Sequence, residues 1–305
     1  MATGTTGLGE LRAPLGERLL PYGLNIPAIL LLLGLVAYPM GLSFWLSLHK
    51  VSFRRLDAGE FVGLGNYFQA LTSAEFANAV SVTFRFAALS VPLIVITGLG
   101  LALLLNAPLR GRAILRALVL VPWAIPPIAN ATLWQLLFDS HVGAVNGALL
   151  QAGLIASYQA FMVQPDFALI VVVLAHTWNH VPLAAIIFLA ALQAIPRDLY
   201  EAARIDRASA LRSFWSITVP WLLRPALVIL ILQTMGALRA FDLLYVLTGG
   251  GPGNATTTVA WLTYQKTFVF LDVGMGSAYA YILMLITFVM AIIYIRSIYT
   301  RGDIE

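Results

Sequence analysis

Residues 201–220 read EAARIDRASALRSFWSITVP, a charged amphipathic segment between two long apolar stretches. The contrast with its surroundings decides the fold class. Of 305 residues, 60% are hydrophobic and only 10% charged, whereas soluble domains carry about 25% charged residues. A soluble fold would lack a surface, so the chain reads as a polytopic all-α membrane protein. A polar island kept between its spans is suited to docking something soluble. The net charge of +4 comes from basic residues dispersed between apolar runs. That spacing fits membrane topology better than a nucleic-acid patch.

Six apolar stretches are long enough to cross a bilayer: 24–48, 82–106, 114–138, 167–192, 225–247 and 277–299. A 25-residue helix is roughly 37 Å long against a hydrocarbon core of about 30 Å, so some tilt is expected. The first stretch is too long for a signal-peptide core and is expected to be retained. Charge sets the orientation. With both termini cytoplasmic, twelve of the eighteen basic residues fall on inner flanks: Arg12, Arg18, Arg110, Arg112, Arg116, Arg197, Arg204, Arg207, Arg212, Arg224, Arg296 and Arg301. Four fall outside: Lys50, Arg54, Arg55 and Lys266. The positive-inside rule then puts both termini, and the island, in the cytoplasm. The expected organisation is a cytoplasmic segment 1–23, one transmembrane domain 24–299 with a loop at about 194–220, and a cytoplasmic tail 300–305.

Absences exclude chemistry. There is no cysteine, hence no thiolate nucleophile or disulfide. The two lysines, Lys50 and Lys266, do not follow a glycine, so no GxxxxGK[ST] phosphate loop exists. Any ATP used must be hydrolysed by a partner.

Within the island, Pro196 ends the preceding span, and Asp198 with Glu201 makes an Asp-x-x-Glu pattern resembling a capping box. Ser209 is placed to cap a second short helix with Leu211, Phe214, Trp215 and Thr218 on its apolar face. Pro220 marks the approach to the fifth span. Such helices lie in the lipid interface or fit a groove on a partner. Mixing Asp198, Glu201 and Asp206 with Arg204, Arg207 and Arg212 favours docking.

The island resembles the EAA loop of permease subunits from binding-protein-dependent ABC importers, EAAxxDGAxxxxxFxxIxLP. Glu201, Ala202, Ala203, Asp206, Ala208, Phe214, Ile217 and Pro220 match it. The stretches LQAIPRDLY (192–200), FDLLYVLTGGGPGNAT (241–256) and VPWAIPPIANATLWQLLFD (121–139) are similar to the sugar-permease subfamily of the maltose and glycerol-phosphate importers. The resemblance implies a type I importer permease fold of six spans, with the coupling loop between the fourth and fifth, in a bacterial or archaeal cytoplasmic membrane. It implies a second homologous permease, two ATP-binding subunits that hold ATP and Mg, and an external solute-binding protein delivering a sugar of the trehalose or maltose type. It also implies that Glu201 serves the contact with the ATPase, and that this chain holds no cofactor. Arg207 stands where the family has glycine. Either the turn there is reshaped to negative φ, or a left-handed arginine is tolerated at about 1–2 kcal/mol, or its charge contacts the partner.

Ionisable groups within spans need explanation. Arg239 and Asp242, three apart on the expected fifth helix, suggest an internal ion pair or a substrate contact. Arg85 is placed to snorkel to the outer interface. His176, Asn179 and His180 share a face of the fourth span. They suit interhelical hydrogen bonds or a polar cavity better than metal, since no third ligand is obvious and Thr177 stands where a zincin has glutamate. Asn130, Trp134, Asn179 and Gln233 are the candidates for lining a sugar pathway, each also explicable as packing or an interface anchor. GGGPG (249–253) reads as an external turn. Two rivals are an ion-coupled secondary transporter using Arg239, Asp242 and the histidines, and a membrane enzyme using the histidine pair.

Overall fold

The computed structural model describes residues 15–52 and 59–302. Arg12, Arg54 and Arg55 lie outside the described residues, as do 1–14 and 303–305 of the expected terminal segments. The chain divides into two compact units, Met1–Leu46 and Ser47–Glu305.

In the first unit, α1 (Leu15–Leu32) runs through a π-helical turn at Leu33–Ala37 into α2 (Tyr38–Ser47). The stretch Leu24–Ser47 is apolar and long enough to span a membrane, and most of its side chains are exposed. The π turn immediately precedes Pro39. A proline ring collides with the carbonyl four residues back, and widening the preceding turn relieves that clash.

The second unit opens with a two-residue antiparallel ladder, β1 (His49–Lys50) against β2 (Glu60–Phe61), a departure from helix that the composition did not foretell. The short α3 (Gly65–Thr72) follows. Ser73 then caps α4 (Ala74–Asn106), its hydroxyl accepting from the Phe76 amide, so this span starts eight residues before the apolar stretch suggested. The fourth and sixth expected spans are α8 (Pro165–Gln193) and α14 (Val273–Gly302). Helices α4 and α8 pack along each other. Gly98 permits the approach, because a Cβ there would come within 2.8 Å of the Ala184 Cβ.

Two spans differ from expectation. The third is two helices, α5 (Arg112–Ala124) and α6 (Pro127–Leu137), bent by 95°. Ile125 and Pro126 are extended between them. Consecutive prolines supply no amide hydrogens and push the residue before them out of the helical region. The fifth span does not run 225–247. It begins in the island as α10 (Ala210–Ser213), passes a second π turn at Phe214–Thr218, and continues as α11 (Val219–Leu238). Pro220 therefore lies inside the span, again just after a π turn. Arg239 and Ala240 break the helix before the separate α12 (Asp242–Leu247). The external connections carry α7 (Ala144–Gln151) and α13 (Val259–Tyr264), while α9 (Arg197–Ile205) fills the first half of the island.

Three apolar clusters hold the second unit. Phe86, Val172, Leu244 and Leu247 anchor one. Ile94, Phe188, Leu192 and Ile229 anchor another toward the island. Phe76, Leu262 and Tyr279 form the third, with Phe76 stacked on Tyr279 at 4.8 Å.

Candidate functional site

The island folds as a helix, a tight reversal and the root of the fifth span. Its capping-box pattern is not used. Pro196, not Asp198, is the N-cap residue of α9, and no side chain caps that end. Asp198 sits in the first turn, where its charge opposes the helix dipole favourably. Ser209 does cap α10, accepting from the Arg212 amide at 3.3 Å.

The reversal between them has a defined geometry. The Ala208 amide donates to Ala203 O at 2.9 Å and the Arg207 amide to Arg204 O at 3.0 Å. Those two bonds make a Schellman motif, and they require a left-handed residue at position 207. Arg207 adopts φ of +54°. The turn that glycine would make is thus preserved, and the strain is tolerated in place of a reshaped loop. Among the described residues, no side-chain hydrogen bond or ion pair of Arg207 offsets it.

One side of α9 is fixed. Tyr200 packs with Ile195, Leu192 and Ile217, and its hydroxyl lies 2.8 Å from Thr218 Oγ1. The opposite side is bare. Ile205 is 83% exposed, Leu211 68% and Trp215 63%. The expected apolar face of the second helix therefore splits, because Phe214 and Thr218 turn inward while Leu211 and Trp215 face out. Glu201, Ala202 and Asp206 are exposed, and Ala203 and Ala208 half-buried. Ile205 was not singled out from sequence, although its place four residues after Glu201 puts both on one face.

The second site lies where α6, α8 and the α11–α12 break meet. A cavity of about 190 Å³ is lined by Asn130, His176, Asn179, His180, Arg239 and Asp242, with Pro127, Gly236, Ala240, Phe241 and Leu243. Asn179 Nδ2 donates to Pro122 O at 2.6 Å and to Ile125 O at 3.1 Å. It thereby satisfies Ile125 O, which the break in the third span leaves without a backbone donor, and adds a second bond to Pro122 O, which already accepts from the Ile125 amide. Asn130 Nδ2 donates to Ala175 O at 3.0 Å, while its Oδ1 and His176 Nε2 are buried and have no hydrogen-bond partner among the described residues. The two imidazoles stack at 3.9 Å, and His180 Nδ1 lies 2.9 Å from His176 O. Among the described residues no group of three or more His, Cys, Asp or Glu is placed to hold a metal ion.

The expected ion pair does not form. Arg239 caps the end of α11 and Asp242 begins α12, so the two are not on one helix. Arg239 Nε donates instead to Met235 O at 3.1 Å. Both side chains line the cavity unpaired with each other. Trp134 belongs to a different, apolar cavity of about 460 Å³ with Trp178 and Val181, and Gln233 is buried and lines neither.

The GGGPG turn was legible, but its locking by threonines was not. Thr256, Thr257 and Thr258 are buried; Thr257 Oγ1 donates to Gly250 O at 3.0 Å and Thr258 Oγ1 to Ala240 O at 3.3 Å. Gly250 has φ of +86°, and a Cβ on it would collide with the Trp261 indole, whose Nε1 donates to Gly249 O at 3.1 Å.

Residues 94–299 match the family described as binding-protein-dependent transport system inner membrane component. The chain is 42% identical over 282 residues to the trehalose/maltose transport system permease protein MalF of Thermococcus litoralis, covering 92% of this chain and 94% of that one. It is 36% identical over 288 residues to the sulfoquinovosyl glycerol permease protein SmoG of Agrobacterium fabrum, covering 94% and 92%. The trehalose permease protein SugA of Mycobacterium tuberculosis is 33% identical over 295 residues, covering 96% and 93%. A bacterial transporter that imports the acidic polysaccharide alginate has the same fold, with a TM-score of 0.80 at 21% identity over 95% of this chain and 98% of that one.

Proposed function

Because the chain belongs to the family of binding-protein-dependent transport system inner membrane components, and is a multi-pass permease subunit of an ATP-driven importer and not an enzyme, we propose that it forms half of a sugar pathway. Its cargo is a di- or oligosaccharide of the trehalose or maltose type. Residues 24–299 act as one permease domain beside a second homologous permease. Of two ATP-binding subunits holding ATP and Mg, one docks on this island and the other on the second permease, and a solute-binding protein delivers the sugar from outside.

The observation that carries this reading is the bare side of the island. Ile205, Leu211 and Trp215 stand exposed among Glu201, Asp206 and Arg212 on a loop that the charge bias puts in the cytoplasm. An apolar centre with a mixed-charge rim is the pattern of a protein groove, not of a lipid-surface helix. Glu201, Ala202, Ala203, Asp206, Arg207, Ala208 and Phe214 make up the coupling element. A push on it is passed through Tyr200–Thr218 to the start of α11.

Sugar recognition falls to the polar cavity. Asn130 Oδ1 and His176 Nε2 are unpartnered buried acceptors or donors of the kind a hydroxyl-rich ligand satisfies. Asn179 positions the α5–α6 break, and Arg239 and Asp242 line the mouth. The cavity is smaller than the roughly 300–1,000 Å³ of preformed ligand sites. This chain therefore supplies one wall, and the homologous permease the other. Gln233 acts in packing, and Trp134 lines the neighbouring apolar cavity.

The test is ATP-dependent uptake of trehalose and maltose by the reconstituted importer, with Glu201→Lys beside it. Uptake should need ATP, and the variant should lose it by at least about tenfold, as a buried charge contact at an interface implies, while inserting normally. Coupled transport unchanged by Glu201→Lys would refute the docking role.

A further inference from the structure

Five aromatic rings gather beside the polar cavity, which one of them lines, and the importer reading leaves them unused. Phe241 and Tyr245 stand four residues apart at the start of α12. Trp261, Tyr264 and Phe268 follow helical spacing along α13 and its extension. Phe241, Tyr245, Trp261 and Tyr264 contact one another with centroids 4.9–5.8 Å apart, and Phe268 joins at 5.1 Å from Tyr264. Phe241 also lines the polar cavity. The connection carrying the other rings joins the fifth and sixth spans, which faces outward in a cytoplasmic-termini topology. The cluster thus leads from the external face to the cavity.

Its chemistry is uneven in an informative way. Trp261 is only 5% exposed and is fixed by its bond to Gly249 O. Tyr245 is 45% exposed, and Tyr264 is half-buried. Among the described residues, neither tyrosine hydroxyl makes a hydrogen bond. A rigid aromatic base carrying two open phenol groups offers apolar faces to ring C–H groups and donors to hydroxyls. A lipid anchor needs neither the mutual stacking nor the continuity with a polar cavity.

We propose that Phe241, Tyr245, Trp261, Tyr264 and Phe268 form a receiving platform on which a pyranose ring rests between delivery at the external face and passage into the polar cavity. The proposal rests on the sugar reading above. Tyr245 and Tyr264 supply the contact, and Trp261, locked by the threonine-pegged turn, holds their orientation.

The assembled importer in liposomes, photolabelled with diazirine-bearing trehalose or maltose, tests it without a variant. Label on Tyr245 or within 261–268, competed by the free sugar, is expected. Competed label confined to the cavity residues would overturn the platform and leave the sugar reading standing. No competed label anywhere and no uptake of either sugar would overturn both. Replacing both tyrosines by leucine should lower maximal uptake about tenfold, the upper end of an aromatic contact, with binding-protein-stimulated ATP hydrolysis within about twofold of wild type. The double tryptophan variant should recover most of the rate. Unchanged uptake in the leucine variant, or uptake and hydrolysis falling together as a broken subunit interface would cause, refutes the platform.

Discussion

Arg207 offers a perturbation whose magnitude follows from backbone geometry alone. It holds φ of +54° at the left-handed position of a Schellman motif. A left-handed L-residue costs about 1–2 kcal/mol, and Arg207→Gly removes that cost. Glycine also frees the unfolded chain, which takes back about 0.4–1 kcal/mol. Arg207 makes no side-chain bond that the change would forfeit, so the net gain is about 1 kcal/mol, or roughly fivefold in the local opening equilibrium. Hydrogen exchange of the full chain in lipid nanodiscs reads this directly. The amides at 207 and 208, which close the motif, should exchange about fivefold more slowly in Arg207→Gly, the size of that gain. Arg207→Ala keeps the backbone strain and should leave them unchanged. Equal protection in both variants, or faster exchange in the glycine variant, would show that the arginine side chain and not its φ governs the turn.

The α5–α6 break should depend on a single amide. Asn179→Leu strands Ile125 O and should destabilise the protein by about 1–3 kcal/mol, seen as a lower Tm and faster exchange near residue 125; an unchanged Tm would remove Asn179 from that role. Gly250→Ala forces a Cβ onto the Trp261 indole at φ of +86°, so tryptophan fluorescence should shift and Tm fall, and a silent variant would mean the threonines do not hold the turn. Backbone amides of His141 and Val142 hold the Asp139 carboxyl below its ordinary range. Its folded value is depressed, so this contribution is present above the unfolded pKa and lost as pH falls through the lower folded one. Protection factors of the 141 and 142 amides, the intrinsic rate at each pH divided by the observed exchange rate, should therefore stay flat from pH 7 to 5 and fall only below about pH 3.9, and Asp139→Asn should abolish the step.

Much of this architecture is legible in the residues, and the failures share a cause. Apolar windows locate α4, α8 and α14, and Ser209 announces its own cap. The island's charge and spacing identify it before any coordinates. Hydropathy is blind to helix continuity, however. Pro126 and Pro127 sit inside an apolar run, so the 95° bend leaves its average unchanged. Arg239 and Asp242 look like helical neighbours only if α11 continues past Leu238. The fifth span's start is hidden for the converse reason, since polar Arg212, Ser213 and Ser216 belong to a helix the window excludes. Asn130 and Asn179 meet in one cavity because the broken span brings them there, which spacing alone does not encode. The threonine pegs were missed because buried hydroxyls carry no periodic signal.

The union of the island with the fifth span has a mechanical meaning. Ala210–Leu238 is one helical run of 29 residues, about 43 Å long at about 1.5 Å per residue. Its inner end carries the exposed Leu211 and Trp215, and its outer end stops beside Gly236 and Arg239 at the cavity. With the docking and sugar roles proposed above, it is a lever with both working surfaces on the same piece of chain. The wide turn at Phe214–Thr218 is the compliant joint near its handle, so small strokes there flex the helix before they tilt it. Stiffening that joint would trade slack for reach, and would be felt at the far end of the rod.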